Sequence, residues 1–193
     1  MKKSFVVLIV ALIGLLAPSC SKQEEQSMGA NRTPSITQGE TPASAAGISW
    51  QVPAKWTAGP ARQMRVATYA IPALADGSVG GECGVFYFGA SEGGDVEANM
   101  TRWIGQFEPS DDPERTTRTI DQMKVHLIDV SGVYLSSGPM MGGPPQRKEG
   151  YRLLGAIVEG PQGSVFFKTT GPADVIEASE ADFNHLVESL SRL

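Results

Sequence analysis

The chain is poor in the residues that cross-link small secreted proteins or bind metals. Its 193 residues include only two cysteines, Cys20 and Cys83, and two histidines, His126 and His185. A disulfide framework needs several cysteine pairs, and a zinc site needs closely spaced cysteine and histidine ligands. These scarcities exclude a disulfide-stapled scaffold and a histidine-rich metal protein, so a hydrophobic core must hold the fold together.

The chain also lacks an apolar run long enough to cross a bilayer as a helix. Its longest run, from Phe5 to Leu16, is interrupted only by Gly14, whereas a spanning helix needs about 20 apolar residues. Lys2 and Lys3 precede this run. A positive start followed by a short apolar run is typical of a secretory signal peptide, so we predict a signal peptide over residues 1–19.

The four residues after the apolar run are Ala17-Pro18-Ser19-Cys20. Small residues that end in a cysteine resemble the lipobox of bacterial lipoproteins, although Ala17 stands where leucine is usual. The resemblance implies cleavage before Cys20 and a diacylglyceryl group on its thiol. Two or three acyl chains would hold the protein on a membrane, at about 0.8 kcal/mol per buried CH₂. The alternative is cleavage by an ordinary signal peptidase and secretion of a free protein.

The expected location is the cell envelope, with the chain lipid-anchored to a membrane. Ser21 follows the cysteine, and in enterobacterial lipoproteins a residue other than aspartate there implies the outer membrane. We therefore expect the periplasmic side of the outer membrane rather than the inner membrane. A lipidated Cys20 cannot form a disulfide, which leaves Cys83 as a lone thiol that we predict to be buried. A Cys20–Cys83 disulfide is the alternative.

Positive charge is scarce. Removal of residues 1–19 takes Lys2 and Lys3 with it, so 14 of the 16 basic residues remain against 21 acidic ones. The chain has no basic run of the kind that binds nucleic acid. We therefore predict no nucleic-acid partner, and we expect the lipid rather than the protein surface to provide membrane attachment.

The mature chain divides into a tether and one domain. Residues 20–46 are rich in Ser, Thr, Gln, Gly, Pro and Ala, which predicts a disordered tether that follows the lipidated cysteine. Residues 47–193 have the length of a single domain, and their pattern predicts the order β-β-β-α-β-β-β-β-α. Short turns between consecutive strands require antiparallel pairing. The predicted fold is α+β: a mostly antiparallel sheet of about six or seven strands with two amphipathic helices packed on it.

Both predicted helices have an apolar stripe at helical spacing. The first begins at the N-cap Asp95, ends at Pro109 and has a stripe of Val96, Met100, Trp103, Ile104 and Phe107. The second begins near Pro172 and has a stripe of Val175, Ile176, Phe183, Leu186, Val187 and Leu190.

Two segments resemble a known family. The opening strand, ISWQVPAKW, and the ending, DFNHLVESL, resemble PsbP-like domains, a group that includes bacterial lipoproteins of the DcrB type. The resemblance implies a non-enzymatic domain that binds protein partners or assists assembly. We therefore expect a non-catalytic binding or assembly module, with another envelope protein as its partner and no cofactor.

Residues 89–93, GASEG, match the G-x-S-x-G pattern of a serine-hydrolase nucleophile elbow. Asp174 and His185 follow Ser91 in the order of a catalytic triad. However, Glu92 would put negative charge where an oxyanion must be stabilised, and an antiparallel sheet differs from the hydrolase sheet. A serine hydrolase that uses Ser91 is the alternative function, and we predict no catalytic residue.

Soft-metal handling in the periplasm is a further alternative, since Met140 and Met141 offer thioether ligands. Both lie in a loop rich in Gly and Pro, where an exposed apolar tip is also typical of a contact with a partner. We predict that Met140 and Met141 contact a partner and that the chain has no metal site. His126 and His185 are predicted to be ordinary side chains of a strand and a helix.

Overall fold

The computed structural model describes residues 41–136 and 145–193. The predictions for residues 1–40, which include lipidation of Cys20, lie outside the described residues, as do those for Met140 and Met141. In chain order the strands are β1 (Thr41–Ala45), β2 (Ile48–Val52), β3 (Thr57–Ala58), β4 (Ala67–Ile71), β5 (Gly81–Tyr87), β6 (Phe107–Pro109), β7 (Glu114–Ile120), β8 (Met123–Ser136), β9 (Gln146–Gly160), β10 (Gly163–Pro172) and β11 (Ser191–Arg192). The helices are α1 (Val96–Ile104), α2 (Ala173–Ala178) and α3 (Glu180–Glu188).

Within the described ranges, eight strands form one antiparallel sheet. Its order is β3-β4-β5-β10-β9-β8, and β7 and β6 both pair along the outer edge of β8. The strands β1, β2 and β11 form a second, small sheet. The predicted α+β class with a mostly antiparallel sheet is confirmed. The main sheet exceeds the predicted six or seven strands because β3 and β6 are too short, at two and three residues, to show a sequence pattern.

Tight turns set the register of the long strands. Gly160 pairs with Gly163 across the β9–β10 turn, which confirms the predicted hairpin. Asp121 and Gln122 join β7 to β8 with φ angles of 42° and 62°. Two successive left-handed residues are the geometry of a tight hairpin turn whose twist matches that of the strands.

The two faces of the main sheet are covered by different elements. The small sheet, α2 and α3 cover one face, where Trp50 packs edge-on against Phe167 with ring centroids 5.1 Å apart. The other face carries α1, whose Met100 and Trp103 pack with Phe166. All six apolar residues predicted for the second helix are buried. Burial of both faces explains why Val165, Phe166 and Phe167 of β10 are apolar in succession instead of alternating with polar residues.

Two predicted boundaries were wrong, and one predicted helix is divided. Residues 41–45, predicted as tether, form β1 and pair with β2, because the small and polar side chains of TPASA carry no strand pattern. The first helix ends at Ile104, and Phe107–Pro109 pair with β8 instead of extending it. The second helix is divided at Ser179, whose φ of −105° departs from helical geometry.

Arg152 connects α3 to the sheet. Its Nε and Nη2 donate to the two carboxylate oxygens of Asp129 at 2.9 and 2.6 Å, and its Nη1 lies 2.8 Å from Glu180. These two carboxylates raise the pKa of Arg152 above its ordinary value. Among the described residues, no helix is both long and apolar enough to span a membrane.

Cys83 is a free, fully buried thiol in β5, as predicted, and burial raises its pKa to about 12. An unfolded cysteine ionises at about pH 8.5. Between these two values the folded state keeps a proton that the unfolded state loses, so the free energy of unfolding should fall as pH rises from about 9 towards 12. We expect a shallower fall in Cys83→Ala, measured by urea unfolding from pH 8 to 11. Equal slopes in the two proteins would contradict this account.

Candidate functional site

The GASEG segment is a turn between β5 and α1. Asp95 caps the helix, since its carboxylate accepts a hydrogen bond of 2.7 Å from the amide of Ala98. The buried Asn99 donates from Nδ2 to the carbonyl oxygens of Gly93 and Asp95, at 2.6 and 2.9 Å. Gly93 has a φ of +95°, and a Cβ there would lie 3.0 Å from the Phe166 ring. Gly93 is therefore explained by the geometry of the turn and its packing against Phe166, and it does not indicate a nucleophile elbow around Ser91.

The structure does not bring Ser91 together with the other two residues of the possible triad. Ser91 is exposed in the turn that leads to α1, whereas His185 lies on α3, on the other face of the sheet. The carboxylate of Asp174 accepts a hydrogen bond of 2.8 Å from the amide of Val175. The depression of about 540 Å³ beside Ser91 is acidic, and its described lining contains no histidine, lysine or arginine; the carboxylates are Glu92, Asp95, Glu97 and Glu159.

The predicted absence of a metal cluster can be examined only in the described part of the chain. There, no group of three or more histidine, cysteine, aspartate and glutamate side chains is placed to hold a metal ion. His126 lies on β8 as a strand side chain, with Nδ1 3.1 Å from Thr117 Oγ1 and Nε2 2.7 Å from Glu159. These neighbours already occupy both of its ring nitrogens.

A basic depression that sequence reasoning missed lies on the α1 face of the main sheet. It has a volume of about 510 Å³. We call it the cationic pocket, after the four basic side chains that line it. They are Arg62, Arg65, Lys148 and Lys168. The arginines come from the loop between β3 and β4, whereas the lysines come from β9 and β10.

Aromatic rings hold three of these cations in place. The pairs are Arg65 over Phe86 at 5.2 Å, Lys168 over Tyr134 at 5.5 Å and Lys148 over Tyr151 at 5.3 Å. Tyr134 and Tyr151 also stack on each other, with ring centroids 5.9 Å apart. Cation–ring attraction of this kind contributes about 0.5–2 kcal/mol per pair. Three of the four cations in the pocket are therefore packed against aromatic rings.

The charges in the cationic pocket are unbalanced. Glu82 is the one acidic side chain in its described lining, and it pairs with both Arg65, at 2.6 Å, and Arg62, at 3.0 Å. Neither Lys148 nor Lys168 forms an ion pair with a described carboxylate. The whole chain has a formal net charge of −5. The pocket thus gathers positive charge on an otherwise acidic protein.

Lys168 lies half-buried at the centre of this surface. The pKa of Lys168 is lowered to about 8, chiefly by burial and also by the positive charges of Arg102 and Arg65, while Glu82 acts in the opposite direction. The ammonium group also donates to Oε1 of Gln106, which follows α1. Lys168 is still mostly charged at pH 7, and a bound anion would favour its charged form further.

Two glycines flank Lys168 on the neighbouring strands, Gly84 on β5 and Gly155 on β9. A Cβ at Gly84 would lie 3.2 Å from the guanidinium carbon of Arg65, and one at Gly155 would lie 2.5 Å from the Trp103 ring. The missing side chains let Arg65 and Trp103 lie close to the sheet. Gly84 therefore shapes the pocket itself, while Gly155 seats the helix beside it.

One sequence signal could have found the pocket. Lys168 directly follows the apolar residues 165–167 in SVFFKTTG, and a charged residue in a strand buried on both faces needs a partner or a function. The other cations are distant in sequence, so only the strand register brings them together.

No family model matches this sequence, and no curated protein matches it. The solution structure of CyanoP, the cyanobacterial PsbP of Synechocystis sp. PCC 6803, is similar in fold, with a TM-score of 0.52 and 10% sequence identity. That match covers 86% of this chain and 99% of CyanoP. A protein of unknown function from Pseudomonas aeruginosa matches at a TM-score of 0.46 and 12% identity, over 78% of this chain and 95% of its own. The chain has a PsbP-like fold.

Proposed function

We propose that this chain is a lipid-anchored protein of the cell envelope whose PsbP-like domain is a non-catalytic binding module. The cationic pocket is the binding surface. The observation that carries this proposal is the concentration of four cations and three aromatic rings around a single carboxylate, on a chain that is acidic as a whole. Concave surfaces with a few convergent polar groups and apolar walls are the usual form of ligand sites.

A non-catalytic role is supported by the surroundings of Ser91. That serine borders an acidic depression, where carboxylates would oppose the negative charge that develops during acyl transfer. In the cationic pocket, the described lining includes no histidine or cysteine, and Lys168, whose pKa is lowered, is held by Gln106 and the Tyr134 ring. The residues in both places therefore fit binding better than catalysis.

The proposed anchor and location rest on the N-terminal pattern. Lys2 and Lys3, the apolar run and Cys20 occur in the order of a lipoprotein signal, and Ser21 favours the periplasmic side of the outer membrane. The proposed partner is another envelope protein. Contact of that partner with Met140 and Met141 is a prediction from sequence.

Photo-crosslinking in intact cells tests the proposed binding surface. We expect a photoreactive residue in place of Thr170, which lines the cationic pocket, to give a discrete adduct. The same residue in place of Thr116, an exposed position on β7, should not give that adduct. Lys148→Met and Lys168→Met together should remove it, because they remove the charge and keep the apolar part of each side chain. An adduct that persists in this variant, or that forms equally from Thr116, would contradict the proposal.

A further inference from the structure

We infer that the ligand of the cationic pocket presents a phosphate group to Lys148 and Lys168. This inference rests on the proposed function, because it names the chemistry that the proposed binding surface recognises. The group is a phosphate monoester, which could belong to a soluble phosphate ester or to the headgroup of phosphatidic acid, and these two sources offer the same three terminal oxygens to the protein.

The charge balance favours a phosphate over a singly charged anion. Glu82 offsets one of the four cations that line the pocket. One carboxylate on a ligand would offset a single one of the three charges that remain, whereas a phosphate monoester carries up to about two negative charges and three strong acceptor oxygens, and so offsets more of the excess. Arginine and lysine together are the usual protein partners of phosphate.

The hydrogen-bond donors in the pocket also remain available. A lysine ammonium group has three N–H donors. Lys168 donates to Gln106, which leaves donors unused, and Lys148 donates to no acceptor among the described residues. Tyr134 and Tyr151 hold one ammonium group each, and their rings stack on each other. Donors fixed before a ligand arrives reduce the entropy lost on binding.

Affinity for phosphate should depend on pH through Lys168. The charged groups that act on it are Arg65 from the β3–β4 loop, Arg102 from α1 and Glu82 from β5. Burial raises the pKa of the neighbouring Tyr134, so that phenol stays neutral below pH 10. With a pKa of about 8 in the free protein, Lys168 loses its charge as pH rises, and affinity should fall up to about tenfold per pH unit above pH 8. Lys168→Arg keeps its charge and should show a weaker fall between pH 8 and 9.5.

Calorimetric titration of the purified full chain tests the inference. The soluble probes are inorganic phosphate and glycerol 3-phosphate, added to the protein in neutral detergent micelles. In the lipid arm, the micelles are doped with phosphatidic acid, whose headgroup is a phosphate monoester, or, as a control, with phosphatidylcholine. We expect binding in at least one arm, weakened at least about 30-fold in Lys148→Met/Lys168→Met because two charge-assisted contacts are lost.

The matched control is Arg118→Met/Lys124→Met, which removes two exposed cations that do not line the pocket and should bind within about twofold of wild type. Binding of soluble probes alone assigns a free phosphate ester, and binding of phosphatidic acid alone assigns a lipid headgroup. No binding in either arm, or equal binding by wild type and the pocket variant, would overturn the inference. If the Thr170 adduct still formed and depended on the pocket lysines, the proposed function would stand and only the phosphate assignment would fall.

Discussion

Gly155→Val should destabilise the domain by about 3 kcal/mol, as expected for an overpacked core position. Strand propensity alone predicts that this substitution increases stability, since valine favours strands and glycine does not. Packing makes the change in stability unfavourable, because a Cβ at this position would lie 2.5 Å from the Trp103 ring and 2.7 Å from Ile128. Both neighbours are buried, so α1 must shift away from the sheet.

Urea unfolding of the wild type and four variants measures this effect. Glu149→Val, at an exposed position of the same strand, should change the free energy of unfolding by less than about 0.5 kcal/mol. Trp103→Leu removes the obstructing ring, so the double variant Gly155→Val/Trp103→Leu should be more stable than the sum of the single effects allows. An additive result would mean that Gly155 does not seat the helix through Trp103.

Cys20→Ala should abolish acylation of the chain completely. The proposed thioether bond needs the thiol, and alanine offers no nucleophile for the acyl-glyceryl transfer. Mass spectrometry of the membrane fraction should find an N-terminal peptide with acyl chains on Cys20 in the wild type and no such peptide in the variant. The energetic reason for the anchor is the burial of many CH₂ groups, at about 0.8 kcal/mol each.

Cys83→Ala is the matched control for this prediction. Cys83 is buried in β5, so its replacement should lower stability and leave the acylated N-terminal peptide unchanged. A wild-type protein that begins at another residue and carries no lipid would contradict the anchor. That result would favour ordinary secretion.

Periodicity in the sequence was enough to predict the class of the fold. The stripe of Met100 and Trp103 and that of Phe183 and Leu186 are buried on opposite faces of the sheet. Such stripes are local, since each helix contributes its own apolar face. The β7–β8 turn shows the limit of this reasoning, because Asp121 and Gln122 adopt left-handed angles without the glycine that usually marks such a turn.

The cationic pocket could not be predicted in the same way. Arg65 reaches Glu82 and Phe86 over Gly84, and this contact depends on the pairing of β4 with β5. Lys168 is adjacent to Gly155 only because β10 pairs with β9 in one register. Registers between strands follow from the packing of both faces together, and no single segment contains that information.

Amide hydrogen exchange in native membranes tests the central claim, that the cationic pocket is occupied in the cell. Exchange of the full chain in membranes is compared with exchange of the purified protein. This comparison does not require the ligand to be identified. We predict slower exchange in membranes for residues 59–66, 79–81 and 145–151, which border the pocket, and unchanged exchange for the turn at residues 89–94. Equal exchange around the pocket in both preparations, or protection confined to the turn that contains Ser91, would contradict the account.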